Sequence, residues 1–328
     1  MTPTRLDLAL GDGLAVLPDG PVAVFGARAN SDLSCLRGRD VHVVQQFWPD
    51  VAALRAAGWE AGPQVPEQVA ASVVFLPRSK AEARAVIAEA VAISSGPVIV
   101  DGQKTDGIES VLRDARKVAD VSGVLSKHHG KLFSIAPGGD FASWADPGDL
   151  HPAPGFVTRV GVFSADKVDR GSAVLADLLP ARLPARVADF GAGWGFLSRA
   201  ILERDGVTSL DVIEADHRAL ECARRNITDD RARFHWADVA GFVPETRLDA
   251  VITNPPFHTS RAADPALGTG FIAAAARVLA PSGQLWLVAN RHLPYEKTLT
   301  AAFTELREVR NDPAFKVYHA SRPRRPRG

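Results

Sequence analysis

The sequence predicts two domains of one open α/β architecture in tandem, each a mostly parallel, doubly wound sheet. Three observations predict it. Short β-branched runs alternate with helical patterns in both halves of the chain. Those runs are continuously apolar rather than alternating, as in strands covered on both faces. A Pro-, Gly- and Asp-rich stretch, DPGDLHPAPG (146–155), separates the halves as a linker would. A chain of 328 residues is too long for one ordinary domain and fits two, expected at 1–150 and 151–328.

Element by element, PVAVFG (21–26), VHVVQQ (41–46), ASVVFLP (71–77) and GPVIVDG (96–102) read as buried parallel strands. AEARAVIAEAVAI (81–93) and IESVLRDARKVA (108–119) read as helices; in the latter, Ile108, Val111, Leu112 and Ala115 follow the i, i+3, i+4, i+7 rule. The second half repeats the pattern. ARVADFG (185–191), TSLDVIEAD (208–216), RLDAVIT (247–253) and SGQLWLVAN (282–290) are strands; LSRAILERD, HRALECARRN and GTGFIAAAARVLA are helices. The tail RPRRPRG (322–328) has the composition of a disordered end.

Bulk composition excludes several classes. Formal net charge is zero, which argues against a non-specific nucleic-acid coat but leaves a local basic patch possible. No apolar run approaches the roughly 20 residues that span a bilayer, and MTPTRLDLAL lacks a signal-peptide layout, so no membrane partner is expected. Cys35 and Cys222 are the only cysteines and lack a metal-type spacing; a reducing cytoplasm is the expected location, and a metal is not expected.

VADFGAGWGFLS (187–198) is a strand, a glycine-rich turn and a helix start. Gly191, Gly193 and Gly195 let the backbone turn tightly and a ligand approach it closely. Dinucleotides and S-adenosylmethionine both use this geometry, and the spacing separates them. A dinucleotide fingerprint is G-x-G-x-x-G; here the third glycine comes one residue early and Phe occupies position 196. Asp189, two residues before the first glycine, would face a pyrophosphate badly but suits the ammonium of S-adenosylmethionine. Glu214 ends the next strand, where a carboxylate can accept both ribose hydroxyls. Asp238 follows a third short strand, where an acid can accept from the adenine amine.

TNPPFH (253–258) follows the apolar run LDAVI. Two prolines cannot continue a strand, because proline has no N–H for the ladder and fixes φ. Strand C-termini of an open α/β sheet converge on the ligand crevice, so Asn254 is expected beside the cofactor. An exocyclic amine on a heterocycle, or an amide nitrogen, is a poor nucleophile because its lone pair is delocalised. The Asn254 side-chain oxygen and the Pro255 carbonyl can hold both of its N–H groups and aim that lone pair. Pro256 stiffens the turn, and Phe257 offers a face for a planar base, a contact worth about 1–3 kcal/mol. Asn254, Pro255, Pro256 and Phe257 are thus the expected catalytic group.

These residues resemble class I S-adenosylmethionine-dependent methyltransferases, and more narrowly the ribosomal RNA guanine-N2 methyltransferases of the RsmC and RlmG type. GVFSADKVDRGSAVL (161–175) resembles that family's segment ahead of the glycine loop, and VANRHLPYEKTL (288–299) and FKVYHA (315–320) its last strands. Ala192 stands where the family usually has Cys, and Thr259 and Ser260 follow His258 where it usually has an acidic or polar residue and Gly. The resemblance implies two tandem Rossmann-like methyltransferase domains, the N-terminal one degenerate and structural or RNA-binding. FGARAN fits this, having one glycine where three are needed. It further implies S-adenosylmethionine as cofactor, contacts to it from Phe163 and Asp169 as well as Asn254, and a guanine 2-amino group in ribosomal RNA, most naturally of the small subunit, as acceptor. The partner is then ribosomal RNA or a ribosomal subunit. Separately, a monomer is expected.

Candidate RNA contacts are Lys127, His128, His129 and Lys131 in SKHHGK, then Arg291, His292 and Tyr295, and the arginine tail. Each also reads as ordinary solvated surface. Two rival functions stay open. Asn-Pro-Pro-aromatic serves a protein glutamine amide equally well, and a vestigial pocket would leave a non-catalytic RNA-binding assembly factor.

Overall fold

The computed structural model describes residues 3–256, 265–311 and 313–324. The chain divides into two compact units, Met1–Gly148 and Asp149–Gly328. The first comprises α1 (Arg5–Gly11), β1 (Val22–Phe25), β2 (Val41–Val44), α2 (Trp48–Ala56), β3 (Glu60–Gly62), β4 (Ala71–Phe75), α3 (Lys80–Ile93), β5 (Val98–Gln103), α4 (Ile108–Ala115), β6 (Val121–Lys127) and β7 (Gly130–Ile135). The second comprises α5 (Arg170–Leu178), β8 (Arg186–Phe190), α6 (Phe196–Leu202), β9 (Ser209–Glu214), α7 (His217–Asn226), β10 (Ala232–Trp236), β11 (Leu248–Thr253), α8 (Pro265–Val278), β12 (Leu279–Asn290), α9 (Glu296–Ala302), β13 (Phe303–Asn311) and β14 (Phe315–Pro323).

Both units build a seven-stranded sheet of the same order, β3-β2-β1-β4-β5-β7-β6 and β10-β9-β8-β11-β12-β14-β13. The first five strands of each sheet are parallel, and an antiparallel hairpin closes the far edge. Strand order reverses between β8 and β11, so a crevice opens at their C-terminal ends.

Two-sided burial explains the uninterrupted apolar runs. In β11, Val251 joins a core with Phe190, Leu285 and Leu287, whereas its neighbours Ala250 and Ile252 join another with Val187, Val212 and Val288. Successive strand residues point to opposite faces, so a strand between two helical layers has no solvent face to mark with polar residues.

Some expectations are refined by the structure. The boundary between the units falls inside the expected linker 146–155, but only its first residues lie outside the second unit. From Asp149 onward it folds onto the second unit: Asp149 takes two hydrogen bonds from Arg225, at 2.8 and 2.5 Å, and Leu150 bridges Thr158. The helix at 108 ends at Ala115 rather than 119, because the next residues tighten into turns, Val118 N–H donating to the Ala115 carbonyl. SKHHGK is the tip of the β6–β7 hairpin, with His128 and His129 both at positive φ, the backbone of a two-residue primed turn. The tail is ordered at its start: Arg322 and Pro323 lie in β14, and Arg324 N–H donates to the Ala302 carbonyl at 2.8 Å. The rest of the tail is outside the described residues. No helix among the described residues is long and apolar enough to cross a membrane.

Candidate active site

The crevice of the second unit is built from the ends of four parallel strands. Asp189, next to last in β8, is fully buried. Its Oδ2 accepts from the Ser198 hydroxyl at 2.6 Å, while its Oδ1, also out of solvent, has no hydrogen-bond partner among the described residues. Burial pushes the carboxyl up to about 7; the Ser198 bond pulls it down, and the nearby Glu214 charge raises it again. A carboxylate left so desolvated is costly unless something charged meets it.

Glu214 ends β9 and ties the glycine loop to it. Its Oε2 accepts from the Gly193 N–H at 2.7 Å, and its Oε1 from the Ala215 and Asp216 N–H groups at 2.8 and 2.9 Å. Burial raises its pKa against these bonds. Asp216 then caps α7, accepting from Arg218 N–H and Ala219 N–H. At Gly195, φ is +90° and an added Cβ would meet Ile227 Cδ1 at 2.8 Å, so this third glycine lets the loop pack on the end of α7. Gly193 has open space where a Cβ would be, leaving its backbone approachable. Asp238 is half-buried in the turn after β10, accepting from the Ala240 N–H at 2.9 Å. Beside it, Trp236 donates to the Ala215 carbonyl at 2.9 Å and meets the His217 ring edge-on at 5.0 Å.

One strand across, Thr253 is fully buried and its hydroxyl donates to the Phe190 carbonyl at 2.7 Å, clamping the end of β11 to β8. Asn254 follows, half-buried, its Nδ2 donating to Asp169 Oδ2 at 2.7 Å and lying 2.9 Å from Ser172 Oγ. Pro255 is buried and Pro256 exposed. Phe257 and His258 lie outside the described residues. Phe163 is 62% exposed, unusual for so large an apolar ring, and precedes Ser164, whose φ is +53°.

The chain thus hydrogen-bonds Gly193 to Glu214, with the buried Asp189 carboxyl near enough to feel the Glu214 charge, and joins Asn254 to Asp169 in a second cluster. Sequence reasoning missed Ser198 and Thr253, whose work is done by hydroxyl groups reaching across the fold; no local pattern marks them. Tyr295 is corrected as a substrate contact: it is fully buried among Ala289, Leu293 and Leu299. Arg291 faces Glu308 at 3.7 Å, and His292 is exposed.

S-adenosylmethionine fits this corner. It carries an ammonium, which answers a buried carboxylate with an unmet oxygen. Its ribose offers two hydroxyls to Glu214, and its chain can pass the bare backbone at Gly193. Dinucleotide binding fits worse, since Asp189 would confront phosphate charge.

Fold and site together define a class I S-adenosylmethionine-dependent methyltransferase. Residues 154–319 match the Methyltransferase small domain family. A ribosomal RNA small subunit methyltransferase C of Hahella chejuensis is 32% identical, covering 67% of this chain and 68% of its own. That of Shewanella oneidensis is 29% identical over 75% of each chain. Among solved structures, the T. thermophilus 16S rRNA N2 methyltransferase RsmC, in complex with AdoMet and guanosine, superposes with a TM-score of 0.80. It covers 94% of this chain and 90% of that one at 24% identity, a likeness of fold. The chain belongs to the Methyltransferase small domain family and, within it, to the ribosomal RNA small subunit methyltransferase C group.

Proposed function

We infer that the protein transfers a methyl group from S-adenosylmethionine to the exocyclic 2-amino group of a guanine in small-subunit ribosomal RNA. The observation that carries this reading is the placement of Asn254. It leaves β11 at the crevice, next to the strand whose end holds Asp189, with its amide nitrogen engaged by Asp169, which turns its carbonyl oxygen the other way. Family membership supplies the RNA: the relatives of matching length are ribosomal RNA small subunit methyltransferases C.

When bound, S-adenosylmethionine supplies an electrophilic methyl on a sulfonium. Asp189 would hold its ammonium, Glu214 its ribose and Asp238 its adenine amine; Phe163 would cover an apolar part of it. Asn254 and the Pro255 carbonyl accept the two N–H groups of the guanine amine, turning its lone pair out of conjugation and toward the methyl. Pro255 and Pro256 keep that acceptor pair from rotating, and Phe257 would stack on the base. Positioning does most of the work, since the leaving group is neutral and no strong base is required. The proton leaves the amine after it has gained the methyl. A base without that amine would strand buried acceptors at roughly 1–3 kcal/mol each.

The first unit is read as a degenerate copy that serves folding or RNA binding. Its single loop glycine, Gly26, gives way to fully buried Ala27, and β4 runs on to Leu76 and Pro77 with no Asn-Pro-Pro. At its strand ends, Arg5 pairs with Asp101 at 2.6 Å and also donates to the carbonyls of Lys127 and His128. These contacts put a buried ion pair where the second unit carries its cofactor acids, which supports a different use of this crevice.

The test is incubation of the purified protein with labelled S-adenosylmethionine and separated ribosomal subunits, followed by nucleoside analysis. Label in N2-methylguanosine from the small subunit is the expected result. Label in glutamine of a ribosomal protein would transfer the site to the rival amide chemistry. Cofactor binding without label in either subunit would leave an assembly factor.

A further inference from the structure

Asp169 and Asn254 are 85 residues apart in sequence and joined by a 2.7 Å hydrogen bond. Asp169 is also the N-cap of α5: the same oxygen, Oδ2, accepts from the Ser172 N–H at 2.9 Å. A helix cap is held in place by its helix, so this oxygen is a fixed point. Around it the packing is close. A Cβ at Gly171 would lie 3.1 Å from Asp169 Oδ2, 3.2 Å from the Phe315 ring and 3.5 Å from Asn254 Nδ2, so a bare glycine lets α5 approach β11 here.

A primary amide is nearly symmetrical in shape, and its two ends differ only in hydrogen bonding. A carboxylate accepts and does not donate, so it can face only the nitrogen end. We propose that Asp169 is a positioning residue that sets the flip state of Asn254, so that this side chain offers an oxygen, never an amine, to the substrate's amino group. The proposal rests on the reading of Asn254 as an amine acceptor. It gives Asp169 a role other than contact with the cofactor.

The geometry also says why position 254 is an amide. An aspartate there would set two carboxylate oxygens about as close as the present 2.7 Å contact, a distance at which both cannot be ionised. Holding a proton between them would bind Asp169 and Asn254→Asp into an acid pair and blunt the acceptor. An asparagine opposite a carboxylate avoids this and leaves one oxygen free of the pair.

The proposal is tested in the full-length protein with Asp169→Ser, Asp169→Asn and the exchange Asn254→Asp with Asp169→Asn. Serine caps a helix about as well as aspartate but is too short to reach Asn254. Asp169→Ser is expected to keep the melting temperature and the S-adenosylmethionine affinity while kcat falls about 10–10² fold, by analogy with a misaligned acceptor. Asp169→Asn, whose oxygen can replace Oδ2, is expected to recover most of that loss. Asn254→Asp alone should be worse than Asp169→Ser, and adding Asp169→Asn should restore part of its kcat, since the donor then sits at 169. A substrate-free readout separates this from the functional reading. In protein labelled at asparagine, the Asn254 side-chain amide should give a shifted, exchange-protected NMR signal that reverts in Asp169→Ser. A wild type showing that signal but methylating no guanine would defeat the proposed function and leave the amide orientation standing. Wild-type turnover in Asp169→Ser, or a loss of cofactor affinity in step with kcat, would overturn the positioning role.

Discussion

Asp189 carries the sharpest electrostatic consequence of the site. Its carboxyl sits at about 7, burial being the main cause. A carboxyl raised above its unfolded value of about 4 contributes stability that is complete below that value and is lost as pH rises through about 7. The ligand-free protein therefore loses stability on this account between those limits, and a bound ammonium returns it by pairing with the ionised form. The thermal shift given by S-adenosylmethionine is expected to be larger at pH 8 than at pH 6. Asp189→Asn should raise the melting temperature of the free protein at pH 8 and abolish cofactor binding; retained calorimetric affinity in that variant would refute the assignment. For Asn254→Ala the expectation is cofactor binding as in wild type and turnover lowered about 10²–10³ fold, the loss seen on removing one preorganised partner. Unchanged turnover would discard the acceptor pair.

Among the secondary elements, the second unit's last strands are tied to α9 by a small ionic cluster. Glu296, at the start of α9, pairs with Lys316 and accepts from the Tyr318 hydroxyl at 2.6 Å, both on β14. Burial would push its carboxyl up, but those two partners outweigh it and hold it at about 2. Burial, with the same contact behind it, pushes the Tyr318 hydroxyl far above its usual range. A depressed carboxyl contributes stability that is present above its unfolded value, about 4.3, and lost as pH falls through its folded one. Glu296→Gln is thus expected to lower the melting temperature at pH 7 by a few degrees, a difference that narrows on acidification below about pH 4. A gap that stays constant over that range would show that the charge contributes nothing. Glu296 is partly exposed, so solvent screening keeps the effect modest.

At the scale of the whole molecule, one strand order is used twice, and the two copies differ at the crevice. The second sheet has Asp189 and Glu214 at its strand ends; in the first unit Arg5 of α1 pairs with Asp101 of β5. Removing residues 1–148 is expected to leave S-adenosylmethionine binding by the remaining unit nearly intact and to cripple methylation of ribosomal subunits. The comparison is read by calorimetry and by label incorporation side by side. A trimmed chain as active as the full one would deny the first unit any part in RNA recognition.

Most of the parallel strands could be read directly because burial on both faces leaves short runs dominated by apolar residues, as in Val22–Phe25 and residues 250–252, whereas the three-residue β3 carries no such run. The glycine loop and its acids were legible for a similar reason: turn, strand end and helix start are neighbours along the chain. What failed was whatever depends on distant partners. Tyr295 looks like a surface residue after a strand, yet the fold encloses it; the 146–155 stretch looks like a linker, yet Arg225 and Thr158 hold part of it down. Asp169 could be noticed but not understood, since its partner lies 85 residues away. Local spacing by itself determined the strands, the order in which they carry acids and the stiff turn after β11. Only the tertiary structure decided which end of the Asn254 amide faces outward, because that choice belongs to a hydrogen bond between two elements that meet only when the sheet closes.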